Sequence, residues 1–162
     1  MKKPRFEGEG SFEIRGKMVD WVVHYVTTQD RCPECAESHH VQEDPPQYKM
    51  PHFGNTHTHG LDKHNQREIC IVLDIGAECA CGILNQCGMR VLFGETVFTE
   101  GIRRDVLQND YDVKFITFDN DPTLYMILPD SKNRFPDNPF CDFPYSMQEI
   151  YAKIISDDKG YV

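Results

Sequence analysis

All seven histidines of this 162-residue chain (His24, His39, His40, His52, His57, His59 and His64) lie before residue 65. The same stretch holds Cys32-Pro33-Glu34-Cys35. Imidazole and thiolate are the donors zinc prefers, and two cysteines separated by two residues can chelate one ion from a tight turn. The series continues through His39 and His40. A closed structural site needs four ligands, so Cys32, Cys35 and two histidines would suffice. His57-Thr58-His59 forms a second group. In an extended segment both rings leave the same face and can share an ion. The candidate metal ligands are therefore Cys32, Cys35, His39, His40, His57 and His59, and zinc is the cofactor they imply.

Other chemistries are less well supported by the residues. The run His57-Thr58-His59-Gly60-Leu61-Asp62-Lys63-His64 is similar to the His-x-His-x-Asp-His pattern of metallo-β-lactamases. It carries one extra residue before Asp62 and another before His64, and the chain is short for that two-layered fold. Cys32-Pro33-Glu34-Cys35 also resembles a glutaredoxin motif, but that motif opens a helix. Here Pro45 and Pro46 follow too soon. No Gly-rich phosphate loop and no Gly-x-Ser-x-Gly elbow is present. Cys70, Cys79, Cys81 and Cys87 read as small core hydrophobes.

Composition narrows the partners. The formal charge is −9, and the basic runs are confined to Lys2-Lys3-Pro4-Arg5 and Arg103-Arg104. Nucleic acid and anionic membranes are therefore not expected as partners; a protein or a small molecule is. Without a run of 18 apolar residues or the apolar core of a signal peptide, cytoplasm is the expected compartment. Seven cysteines then read as thiols or metal ligands instead of a disulfide framework. The length fits a single domain spanning 1–162.

The elements that must position these residues follow from periodicity. Ser11 to Lys17 alternates as a strand, and Met18 to Thr28 reads as a second one. Residues 29–47 carry Pro33, Pro45 and Pro46 and form an irregular lobe that a metal would give a reason to be ordered. Tyr48 to His59 is extended. Arg67 to Ile75 is the clearest strand, apolar on both faces and so central. Gly76 to Phe93 is the main helix, with Ala80, Ile83, Leu84, Cys87 and Val91 in one stripe and Gly94 as its C-terminal cap. Ile102 to Leu107 and Tyr111 to Phe118 form a hairpin across Asn109-Asp110. Leu124 to Leu128 is the last strand. Four prolines make residues 129–144 an irregular crossing, whose aromatic residues Phe135, Phe140 and Phe143 are expected to fold back as a core lid. Ser146 and Glu149 propose a capping box for a short C-terminal helix. Strands outnumber helices without alternating with them, so the expected class is α+β: a mixed or antiparallel sheet packed by one main helix and a short terminal helix, with an irregular N-terminal Cys/His lobe.

Several motifs in residues 58–148 carry a resemblance. They are Thr58-His59-Gly60-Leu61, the strand Glu68 to Ile75, Leu84-Asn85, Phe98-Thr99-Glu100-Gly101, Leu124 to Asp130, Arg134-Phe135-Pro136 and Gln148. Together they resemble a bacterial and phage family called domain of unknown function 4262. The resemblance implies an α+β domain and brings no activity or catalytic residue with it. Members have Thr-Val-Gly-Leu where this chain has Thr58-His59-Gly60-Leu61, so a ligand at His59 is not a family property.

The functional expectation is a zinc-stabilised binding or regulatory module. The alternatives are a metal-dependent hydrolase built on His57, His59 and a third ligand, and a metal-free interaction protein presenting the aromatic, proline-rich segment.

Overall fold

The segment Ile69–Leu73 has apolar side chains at every position, which only a strand covered on both faces can bury. All five residues are buried, and helices lie on either side. The computed structural model describes residues 12–26 and 52–159. Its strands are β1 (Phe12–Ile14), β2 (Lys17–Val19), β3 (Val22–His24), β4 (Phe53–His59), β5 (Ile69–Leu73), β6 (Gly101–Arg103), β7 (Val113–Ile116) and β8 (Leu124–Ile127). The helices are α1 (Ala77–Leu92) and α2 (Gln148–Asp158). Six strands form one mixed sheet in the order β3-β4-β5-β8-β7-β6, with β5 and β8 parallel and the other pairs antiparallel. The α+β expectation holds.

Alternation along β3 assigns the two faces. Trp21, Val23 and Tyr25 point one way, Val22 and His24 the other. The Trp21 indole donates to Asn85 Oδ1 at 3.1 Å and lies against Gly88 of α1, where a Cβ would fall 2.5 Å from the ring. Gly88 therefore lets helix and indole close-pack. On the opposite face, Lys159 at the end of α2 sits over the Tyr125 ring. One row of side chains crosses that face, paired strand to strand: His24, His57, Cys70, Tyr125 and Ile116. The row is polar at the β3 edge and apolar at β7.

Helix α1 ends where its sequence says it should. Gly94 adopts φ 69°, its N–H reaches the Val91 carbonyl, and the Glu95 N–H reaches that of Arg90 at 2.9 Å. These two bonds are the paired bonds of a Schellman cap. The β6–β7 hairpin turns through Asn109 and Asp110, both left-handed, as their types favour. The proline-rich crossing is tied by Asp130, whose carboxylate accepts from the amides of Lys132, Arg134 and Asp142 and from Arg134 Nε.

Several expectations require correction. Ser11 to Lys17 is not one strand: Arg15 and Gly16 take φ 49° and 78°, which turns the chain into the β1–β2 hairpin. The Met18 to Thr28 strand is interrupted at Asp20-Trp21. Strand β6 stops at Arg103, well short of Leu107, and the Arg103 guanidinium there binds the Asp105 carboxylate. Ser146 is no cap. A 3₁₀ turn at Tyr145–Met147 leads directly into α2, and Glu149 instead accepts from Lys114 Nζ at 2.8 Å. Cys79 is exposed because it falls beside the Ala80-Leu84-Cys87-Val91 stripe. The aromatic lid holds for Phe135, which is buried, and for Tyr145, which packs against the core, whereas Phe140 and Phe143 are 75% and 60% exposed.

Candidate metal centre

The centre is a consequence of strand register. β3 runs antiparallel to β4 with Val22 opposite His59 and His24 opposite His57. Directly opposed residues share a face, and so do residues two apart on one strand. His24, His57 and His59 therefore converge on one side of the sheet. Thr58, between the last two, faces away and accepts the Ile69 N–H at 2.9 Å.

The rings are close. His57 Nε2 and His59 Nε2 are 3.1 Å apart, and one ring nitrogen from each of the three residues lies within 4.8 Å of the others. Two nitrogens bound about 2.05 Å from one tetrahedral ion sit about 3.3 Å apart. The His57–His59 pair already has that separation. His24, on the short edge strand, closes the set with a change in separation of at most about 1.5 Å. His57 is buried at 7% exposure, while His24 and His59 are half-buried.

The tautomer of His57 follows from its neighbours. Its Nδ1 lies 3.0 Å from the Asn55 backbone carbonyl and 3.0 Å from Asn55 Oδ1. Both are acceptors, so these contacts favour a proton on Nδ1 and a lone pair on Nε2. With that tautomer, the donor in the 3.1 Å contact is His59 Nε2 and the acceptor His57 Nε2. The Cys70 thiol donates to the same Asn55 Oδ1 at 3.1 Å. Burial pushes that thiol up to about 12, so it stays a donor.

Glu68 shapes the turn that follows β4. Its carboxylate accepts the amides of Gly60 (2.9 Å), Leu61 (2.7 Å) and Asp62 (3.3 Å). Burial raises its pKa, against the pull of the Leu61 and Gly60 amides and of nearby His59. Gly60, at φ 110°, makes the turn that directs the chain from His59 into the 3₁₀ turn Leu61–His64. His64 leaves the cluster altogether. Its Nε2 pairs with Asp20 Oδ1 at 2.6 Å, which holds the Asp20 carboxyl below its usual range.

Of the sequence candidates, the fold brings His57 and His59 together. Cys32, Cys35, His39 and His40 lie outside the described residues. Asp62, His52 and His64 stay out of the cluster. The sequence pattern alone does not mark His24 as a ligand. Its type and its place in a strand were visible, but its partner depends on a pairing register that a single chain does not display.

No family model matches this chain, and no curated protein or solved structure matches it. Fold and site together define an α+β protein with a three-histidine cluster on the edge of its sheet. Among the described residues no helix is long and apolar enough to cross a membrane.

Proposed function

We propose that the protein binds one divalent transition ion, zinc by its donor chemistry, through His24, His57 and His59, and that the ion keeps an exchangeable position. One observation carries this reading: three imidazoles from two paired strands bring their nitrogens within 4.8 Å, two of them at 3.1 Å. Imidazole suits zinc, copper, nickel and iron, whereas magnesium and calcium require oxygen donors. Three protein ligands plus water is the arrangement of catalytic zinc, which acidifies its bound water to a pKa near 7. The reaction class such a centre would support is hydrolysis.

A second reading, a structural ion in a binding or regulatory module, is favoured by the position of β3. That strand is three residues long and lies at the sheet edge. An ion shared by His24, His57 and His59 would clamp it to β4.

Metal content of zinc-loaded, gel-filtered, untagged protein tests the proposal. The expected result is about one ion per chain, lost in both His24→Ala and His57→Ala. Wild-type protein without stoichiometric metal, or variants that keep it, would overturn the reading. Cobalt substitution separates the two roles. An open position gives a visible spectrum that shifts on adding azide, and a closed structural site gives one that does not.

A further inference from the structure

Strand β4 contains a bulge beside the metal centre. Phe53 pairs with Leu73 and Thr56 with Ile71, so three steps on β4 oppose two on β5. Asn55 lies within this irregularity, and its N–H bonds the Val26 carbonyl at 2.8 Å. Bulges next to sites re-aim side chains. Here the bulge turns both the backbone carbonyl and the side-chain carbonyl of Asn55 toward the Nδ1 of His57, each at 3.0 Å.

We propose that Asn55 is the positioning residue of this centre: its two carbonyl oxygens fix the proton of His57 on Nδ1 and so present Nε2 to the metal. This inference rests on the metal reading above and adds to it the group that orients the most buried ligand. The Cys70 thiol supports the arrangement from β5. As a donor to Oδ1, it holds the Asn55 amide with oxygen, not nitrogen, toward the imidazole. Metal-bound histidines commonly donate their second N–H to a carbonyl or carboxylate, and loss of that partner weakens metal binding 10- to 100-fold. Because the backbone carbonyl remains when the side chain is changed, the expected loss is at the lower end, about tenfold.

The test is cobalt and zinc affinity by chelator competition for wild type, Asn55→Leu and Asn55→Asp, with the folded state of each metal-free protein checked by circular dichroism. Asn55→Leu is expected to bind about tenfold more weakly. Asn55→Asp keeps an acceptor and is expected to match or exceed wild type. Equal affinity in Asn55→Leu, or equal losses in both variants, would overturn the role. Wild-type protein that binds neither metal would instead overturn the underlying reading. Nitrogen NMR of the His57 ring in the wild-type protein needs no variant to fold. The proton is expected on Nδ1 and the metal on Nε2; a metal on Nδ1 would refute the proposal.

Discussion

Two polar clusters share one row of the sheet, separated by Cys70, and they are built on opposite principles. At the β8 end, Tyr125 donates to Asp121 Oδ2 at 2.6 Å, the Thr123 amide donates to Asp121 Oδ1 at 2.9 Å, and Lys159 lies 3.6 Å from the carboxylate while donating to Thr123 Oγ1. Acid meets base and donor meets acceptor, so the cluster is complete in itself. At the β3 edge, three groups of one kind face one another, and a single N–H between His57 and His59 is the bond their chemistry allows that pair. Buried polar groups that satisfy each other hold a fold together. Like groups brought together in a half-open position are the arrangement on which the metal proposal rests.

The contrast can be broken most forcefully at Asp121. Asp121→Ala removes the carboxylate that faces the buried end of Lys159 and accepts from the Tyr125 hydroxyl, and it should cost about 3–5 kcal/mol of stability in urea denaturation. Zinc stoichiometry should not change. A variant that loses metal along with stability would show that the two clusters act as one.

Gly88→Ala should cost about 1–3 kcal/mol, because the new methyl would meet the Trp21 ring at 2.5–2.8 Å. Trp21 leads directly into β3, so this substitution should also displace His24 and weaken metal binding. Chelator competition with unchanged affinity would mean that β3 holds its register independently of α1.

The pH dependence of the metal-free protein sharpens the same comparison. Burial opposes ionisation of Asp121, but Lys159, Tyr125 and the Thr123 amide prevail and hold its pKa below 3.8. Its contribution is present above pH 3.8 and is lost as pH falls below that value. Burial, then Cys70 and Asp121, raise the Tyr125 pKa above 10.0. That contribution is present below pH 10.0 and is lost as pH rises beyond it, because the unfolded chain ionises first. Urea midpoints measured across the range should therefore fall on both sides. A flat alkaline limb would contradict the burial of the Tyr125 hydroxyl.

The smallest effect is expected at Cys79. It is exposed, so Cys79→Ser should change stability by less than about 0.5 kcal/mol. Cys87→Ser places a hydroxyl at a buried position and should cost about 1–3 kcal/mol. Comparable losses by thermal denaturation would refute this placement of the α1 stripe.

The parts of the fold legible from the chain are those encoded locally. The two-sided apolar run at Ile69–Leu73, the 3.6-residue stripe on α1 and the Asn109-Asp110 turn each state their element within a few residues. His57 and His59 were legible for the same reason, since strand periodicity alone puts them on one face. His24 was not, because it joins the site through pairing with a strand almost thirty positions away in sequence. Asn55 was hidden more deeply. Its role depends on a bulge, and a bulge shows itself only when two strands are laid side by side. The capping box at Ser146 failed because a 3₁₀ turn from the proline-rich crossing already supplies the entry to α2.

X-ray absorption at the zinc edge of the loaded protein reads out the ligands of the ion themselves. Three imidazole nitrogens at about 2.0 Å, one further oxygen or nitrogen from an exchangeable ligand, and no sulfur at about 2.3 Å are expected. A sulfur shell, or fewer than three imidazoles, would contradict a centre formed by His24, His57 and His59.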